Sequence, residues 1–303
     1  MLRGWYGGDR RYLAGVALAL AAAVTFSGKA IIIKLAYRHG VDPFTLIMMR
    51  MVCALPFFAL MAWWAGRGQP PLDGRDWGAA VMLGFVGYYL ASTLDFLGLQ
   101  YISAGLGRLI LYLSPTLVLV LGWWIMGQRV RPRQFIAMAV SYAGAGAVFV
   151  QELHGVGPHA GWGAILVFIS ACSYALYLLY SGKWVQRLGA LRLTGWASFF
   201  ACLFCLVQYA VIQPLDTVLY VPREVWTLSL INGTVCTVAP ILMVMMSVQR
   251  IGAAAAAQAG MVGPLTTVAL GAWWLGEPLN VSVVMGLIMV LAGVALLAKH
   301  KEA

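Results

Sequence analysis

The chain has 303 residues, of which 62% are hydrophobic and only 10% are charged. Soluble domains are about 45–50% apolar and about 25% charged, so this composition excludes a water-soluble fold and favours an integral membrane protein. The net charge of +10 does not indicate a nucleic-acid partner, because the Lys and Arg residues lie in short loops between apolar runs. Such a distribution suits lipid headgroups and a defined membrane topology.

Hydropathy divides the chain into apolar runs of roughly 20 residues, the length that crosses the hydrocarbon core of a bilayer. Each run is predicted to be a helix, because an isolated strand would leave its backbone polar groups unpaired in lipid. The first run continues to Ile33, which favours an uncleaved span over a secretory signal. The ten predicted spans are 12–36, 44–65, 77–99, 103–126, 134–151, 161–182, 194–213, 225–248, 253–275 and 280–298.

Two stretches of the chain, residues 100–128 and 249–277, resemble each other. Each contains a run of small residues, a proline within an apolar segment, a tryptophan pair and a terminal glycine. A shift of 149 residues (249 − 100) superposes Pro115 on Pro264, together with several glycines. A repeat at half of the chain length indicates that a large unit has been duplicated.

The Lys and Arg residues predict the orientation of the spans. With both termini in the cytoplasm, fourteen of them lie on the inner side and three on the outer side, while Lys29, Arg50 and Arg108 lie within spans. This asymmetry agrees with the positive-inside rule. A first half of five spans that starts inside requires the second half to start outside. We therefore predict an all-α protein of the inner membrane, with ten transmembrane helices arranged as two inverted five-helix repeats, residues 1–152 and 153–303.

The doubled stretch is followed in each half by a glycine-bearing last span, AVSYAGAGAVFV and LIMVLAGVALLA. Together with Glu277 at the end of the ninth span, this pattern resembles the EamA domain of the drug/metabolite transporter superfamily. The first half departs from the pattern, since it has Gln128 where a glutamate is common. The resemblance covers nearly the whole chain and implies a ten-helix carrier that exports small metabolites, often amino acids.

Four charged residues lie inside spans, and charge in hydrocarbon normally faces a partner or a watery cavity. Asp95 and Arg108 lie six to seven residues on either side of the turn between the third and fourth spans, so we predict an ion pair between them. Lys29 and Arg50 match in depth but carry like charges. They either extend to the outer headgroups or add to an excess of positive charge that suits a substrate carboxylate.

Further polar and aromatic residues within the spans are candidates for a substrate cavity, because a mid-span hydroxyl needs a partner. Gln258 is the lone polar side chain of a small-residue run, where it contacts substrate or hydrogen-bonds between helices. Pro115 and Pro264 are predicted to kink their helices, as hinges or as ordinary kinks. The predicted cavity residues are Lys29, Arg50, Tyr88, Ser92, Tyr112, Tyr174, Tyr177, Asn232 and Gln258.

Two other classes of function were weighed against a carrier. The sequence has no GxSxG or HExxH motif and its histidines lie in loops or the tail, so we predict neither an enzyme, nor a cofactor, nor a metal site at Glu152, His154 and His159. A channel is disfavoured, because one chain with inverted repeats offers no ring of like residues.

We therefore predict an alternating-access carrier that exports small metabolites, amino acids and aromatic amino acids among them, with lipid as its other partner. A monomer is compatible with the sequence. An acid engaged with a cation is a poor proton carrier, and Asp95 is the acid within the predicted spans. This favours facilitated transport, with a proton-coupled exporter of drugs or quaternary cations as the alternative.

Overall fold

The computed structural model describes residues 3–127, 132–155, 159–244, 246–247, 250–251 and 262–298. Within them, seven apolar helices are long enough to cross a membrane and three apolar helices are shorter, which confirms an all-helical membrane protein. The fourth span consists of two helices, α4 and α5. The helices are α1 (Arg3–Tyr37), α2 (Pro43–Gly66), α3 (Gly74–Gly98), α4 (Ala104–Leu111), α5 (Ser114–Met126), α6 (Pro132–Gly155), α7 (Ala160–Leu188), α8 (Ala190–Ile212), α9 (Arg223–Val244), α10 (Val262–Leu275) and α11 (Val281–Ala298).

The backbone repeats the spacing of 149 residues that the sequence contains. Gly40 and Gly189 follow the first helix of each half with φ angles of 74° and 78°. Gly127 and Gly276 end the fourth span of each half with φ angles of 65° and 71°. Glycine adopts this left-handed conformation without the steric penalty that a Cβ brings. The fourth spans of the two halves therefore end in the same way, each with a left-handed glycine.

A π-helical turn interrupts α3 at Gly84–Leu90 and recurs in α9 at Thr234–Val238, the equivalent place in the second half. Such a turn leaves backbone carbonyls without their usual helical partner. Ser173 and Ser170 of α7 donate hydrogen bonds of 2.7 Å and 2.6 Å to two carbonyls in or next to the first turn. The widened part of α3 is thus bonded to the first helix of the other half.

Equivalent helices of the two halves also pack against each other in opposite directions. Gly195, near the start of α8, faces Ala62 near the end of α2. Further along α8, the Cys202 sulfur lies 3.6 Å from the Met51 sulfur near the start of α2. The last helices of the two halves, α6 and α11, form a second close contact through glycines. Small residues let helices approach closely in lipid.

Two hydrophobic clusters form most of the core. One joins α1 and α2 to α8 and α9, and the other joins α4, α5 and α6 to α7, α10 and α11. Each cluster takes helices from both halves, so neither half encloses a core of its own. Within the described residues, the core of the protein therefore lies between the halves.

Candidate functional site

Three cations and one carboxylate lie close together where the helices of the first half converge. The Lys29 ammonium is 2.7 Å from Asp95 Oδ2, and the two side chains are 12% and 5% exposed. Arg50 is 2% exposed and Arg108 is 8% exposed. We call these four residues the charge cluster. Three positive charges against one negative charge leave it with an excess of two positive charges.

Two phenylalanine rings connect the cations of the charge cluster. Lys29 Nζ and Arg50 Cζ lie 5.5 Å and 4.7 Å from the centre of the Phe96 ring. On the other side, Arg108 Cζ and Lys29 Nζ lie 4.7 Å and 6.0 Å from the centre of the Phe26 ring. A ring face attracts a cation by about 0.5–2 kcal/mol, which offsets only part of its lost hydration. Lys29 thus shares one ring with Arg50 and the other with Arg108, so the three cations lie close enough together to act on the same bound anion.

Several atoms of the charge cluster have no hydrogen-bond partner among the described residues. They are the Nε atoms of Arg50 and Arg108 and the Oδ1 atom of Asp95. A buried polar atom without a partner costs about 1–3 kcal/mol, more when it belongs to a charged group. Guanidinium N–H groups bind carboxylates in a matching geometry. The two arginines are therefore suited to bind an anion.

The charge cluster lies against α10, a helix of the second half. Arg108 Cζ is 5.4 Å from the centre of the Tyr112 ring. A Cβ at Gly263 of α10 would collide with the Tyr112 hydroxyl and would lie 3.6 Å from Arg108 Nη2. On α1, the Ser27 hydroxyl lies 2.8 Å from the Gly263 carbonyl oxygen. The site is thus at the boundary between the halves.

Three tyrosines extend the site along α3 and α7. The hydroxyl oxygens of Tyr88 and Tyr177 are 3.0 Å apart, and the Tyr174 ring stacks on the Tyr177 ring with a centre-to-centre distance of 5.7 Å. Tyr174 is 37% exposed, whereas Tyr177 is buried. The aromatic ring adjacent to the positive charge is that of Tyr112, and charge beside an aromatic ring suits an anion with an aromatic or apolar side chain.

Residues 13–150 and 161–299 each match the model of the EamA-like transporter family. This chain belongs to the EamA-like transporter family. It is a multi-pass membrane protein of the drug/metabolite transporter superfamily, a transporter rather than an enzyme, and its function implies a small-molecule substrate.

Two relatives of this EamA-like transporter match over about nine tenths of its length. It is 30% identical over 295 residues to the "Uncharacterized transporter YcbK" of Bacillus subtilis (strain 168), covering 91% of this chain and 90% of that protein. It is 22% identical over 286 residues to the "Uncharacterized transporter YetK" of the same organism, covering 92% and 86%. A solved crystal structure matches with a TM-score of 0.64 at 17% identity, covering 95% of this chain and 99% of that one, so the fold is shared.

The predicted ion pair between Asp95 and Arg108 is wrong in this transporter, because the structure pairs Asp95 with Lys29. Arg108 instead lies over the rings of Phe26 and Tyr112. Spacing from the turn placed Arg108 at the depth of Asp95, but the rotation of each helix decides which cation reaches the acid. The sequence left open whether Lys29 and Arg50 extend to the headgroups; in the structure Lys29 turns to Asp95, and Arg50 is 2% exposed.

The other predicted cavity residues occupy different settings. Ser92 is half-buried in α3, one turn before Asp95. Asn232 is fully buried in α9, and neither atom of its amide has a partner among the described residues. The next residue, Gly233, packs against the backbone of Arg50, which places Asn232 beside α2. Gln258 lies outside the described residues.

The structure shows a break in the fourth span where the sequence predicts a kink. α4 ends at Leu111 and α5 begins at Ser114, with Pro115 in its first turn. The Ser114 hydroxyl donates to the carbonyl of Leu111, the residue four positions before Pro115, whose helical hydrogen bond a proline removes. Pro264 is buried in the first turns of α10, and the residues that precede this helix, 252–261, are outside the described part. Hinge roles for both prolines stay predictions.

One contact at the end of α10 went unpredicted, although the family pattern includes its acid. Glu277 Oε1 accepts a hydrogen bond of 2.7 Å from the Ala104 N–H, and Oε2 accepts one of 3.3 Å from the Gly105 N–H. An acid at a helix N-terminus is favoured by the free N–H groups and the helix dipole. The contact joins the end of α10, a helix of the second half, to the start of α4, the helix that carries Arg108.

Proposed function

We propose that this EamA-like transporter is an inner-membrane carrier that exports small carboxylate metabolites by alternating access, with amino acids, aromatic ones among them, and related compounds as the first candidates. The observation that carries the proposal is the buried charge cluster with two arginines in excess over the acid. Excess charge inside a membrane protein marks a substrate pathway or needs a counter-ion. A substrate carboxylate supplies that counter-ion.

The proposal includes two inverted repeats, residues 1–152 and 153–303, with both termini in the cytoplasm. Support comes from the opposite directions of α2 and α8 and from the contact between the end of α10 and the start of α4. Secondary transporters built in this way bind substrate between the repeats. A cysteine introduced at Gly68 should react with a membrane-impermeant thiol reagent from the cytoplasmic side, and one at Gly40 from the outer side. The reverse pattern would invert the topology.

The charge cluster also bears on coupling. Asp95 is the acid away from the helix ends in the described spans, and Lys29 engages it at 2.7 Å, so we propose facilitated transport down the substrate gradient without an obligatory proton. An exporter of quaternary cations is disfavoured, because three buried cations repel a fourth.

Counterflow in proteoliposomes tests this function. Purified protein is reconstituted without a pH gradient, and the uptake of labelled amino acids and related carboxylates is measured against internal unlabelled compound. We expect saturable counterflow that Arg50→Gln and Arg108→Gln reduce, whereas Arg75→Gln, which removes an exposed arginine at the start of α3, leaves it unchanged. Flux that does not saturate would indicate a channel. Accumulation driven by a proton gradient alone, and abolished by Asp95→Asn, would contradict facilitated transport.

A further inference from the structure

We infer that the charge cluster selects its substrate by net charge, taking an organic anion in preference to a zwitterion of the same shape. In chemical terms, a 2-hydroxy or 2-oxo acid should bind better than the amino acid with the same side chain. The inference rests on the proposed function, because it names the substrate class of the same site. The observation behind it is that the single carboxylate of the cluster, Asp95, is already paired with Lys29.

A zwitterion brings an ammonium group as well as a carboxylate, and the ammonium needs an anionic partner. Asp95 is the acid available in the cluster, but Lys29 lies 2.7 Å away and already matches its charge. Glu224 of α9 lies at the end of its helix, and the sequence places no other acid in the interior of the predicted spans. The ammonium would therefore become a fourth cation in a buried site that already holds three.

The carboxylate of the substrate, by contrast, is attracted by the cluster. Arg50 and Arg108 each lie over an aromatic ring, and each has an Nε atom without a partner among the described residues. A bound carboxylate lowers the excess positive charge and supplies acceptors to these groups. An anion keeps the whole of this gain, whereas a zwitterion loses part of it to repulsion of its ammonium.

One atom of the cluster would favour a zwitterion. Asp95 Oδ1 has no partner among the described residues and could accept a hydrogen bond from an ammonium group. It offers an acceptor but no unmatched charge, because Lys29 neutralises the carboxylate as a whole. A hydroxyl group can donate the same hydrogen bond without bringing a positive charge. Oδ1 therefore suits the 2-hydroxyl of a hydroxy acid at least as well.

A matched pair of probes isolates the charge. Phenylalanine and 3-phenyllactate share the ring and the carboxylate and differ in an ammonium or a hydroxyl group at the same carbon. Each is tested in proteoliposomes as a competitor of labelled 3-phenyllactate counterflow. At ordinary protein dielectric, repulsion between close like charges is worth tenfold or more in affinity, so we expect phenyllactate to compete about tenfold better. A diffusion potential set with valinomycin should change the flux of phenyllactate and leave that of phenylalanine unaffected.

Variants of the ion pair provide a second test, because a purely structural role of Lys29 would not change the preference for phenyllactate over phenylalanine. Lys29→Gln frees the Asp95 carboxylate for a substrate ammonium, so the preference for phenyllactate should fall or reverse. Lys29→Arg keeps the charge and should keep the preference, and Arg75→Gln is the control outside the cluster. Since Lys29→Gln leaves a buried acid unpaired and can prevent folding, the wild-type comparison of the two probes decides the matter by itself.

The outcomes separate the inference from the function on which it rests. Saturable counterflow in which phenylalanine competes as well as phenyllactate, or better, overturns charge selection and leaves the carrier intact. A preference for phenyllactate that persists unchanged in folded Lys29→Gln overturns the role given to the ion pair. Absence of counterflow for every carboxylate overturns the proposed function and this inference with it.

Discussion

Replacing Gly144 by alanine should weaken the contact between α6 and α11, the last helices of the two halves. A Cβ at Gly144 would lie 2.7 Å from the Gly286 carbonyl oxygen, 2.7 Å from Met289 Cβ and 3.2 Å from Val290 N. These atoms belong to the backbone or lie next to it, so they cannot turn aside as the end of a long side chain would. The helices must separate, and the close packing along them is lost.

A second glycine of α6 provides the matched control for this prediction. A Cβ at Gly146 would meet nothing within 4 Å. Within a helix, exchange of glycine for alanine contributes about 0.8–1 kcal/mol through propensity, and this gain is common to both variants. The difference between them therefore isolates the steric term, about 1–3 kcal/mol for an overpacked contact. We expect Gly146→Ala to be neutral or slightly stabilising and Gly144→Ala to be less stable than Gly146→Ala by that difference.

The free energies of unfolding are compared by titrating each variant from a mild detergent into SDS and following helical circular dichroism. Both variants differ from the parent by one methyl group two positions apart in the same helix, so effects on detergent binding cancel. Equal stability of Gly144→Ala and Gly146→Ala would refute the close approach of α6 and α11.

Three further predictions concern the charged residues. Lys29→Gln and Asp95→Asn should each lower the free energy of unfolding by about 3–5 kcal/mol, because each leaves a buried charge unpaired. The double variant should recover part of this loss. Additive losses in the double variant would argue against coupling between the two residues. Glu277→Gln should cost about 0.5–2 kcal/mol in the same titration, because the carboxylate caps the first N–H groups of α4; an unchanged midpoint would show that the cap contributes nothing. At the start of α3, a backbone N–H and the Arg187 guanidinium, 2.6 Å away, lower the pKa of Asp73. A folded pKa below the unfolded one gives stability above the unfolded pKa that is lost as the pH falls through the folded pKa. Arg187→Gln should therefore reduce the amount of stability that the protein loses as the pH falls. An unchanged dependence of the unfolding free energy on pH in the acid range would contradict this prediction.

The helices were predictable because apolar length and turn residues act locally. The predicted third span, 77–99, starts three residues later than α3, because Asp73 and Asp76 form a capping box that begins the helix ahead of the apolar run. Hydropathy does not register such a cap, although the two acids three residues apart are visible in the sequence. The break after Leu111 had a local signal as well, in Pro115.

The partner of Asp95 was not predictable in the same way. Three cations reach the depth of one acid, and sequence spacing determines their depth but not their direction. The direction follows from packing: the Tyr37 hydroxyl of α1 donates to the Phe96 carbonyl at 2.6 Å, which ties α1 to the turn of α3 that carries Asp95. Once α1 is held there, Lys29 is the cation that meets the acid. Contacts of this kind join residues far apart in the chain, and no single segment contains them.

The duplication copied the fold of the first half but not its intramembrane charges. At the positions 149 residues beyond Lys29, Arg50, Asp95 and Arg108, the second half has Leu178, Phe199, Val244 and Ala257. A symmetric ancestor made of two identical units would have held two such clusters, whereas this chain holds one. The stoichiometry of binding should accordingly be one substrate per chain.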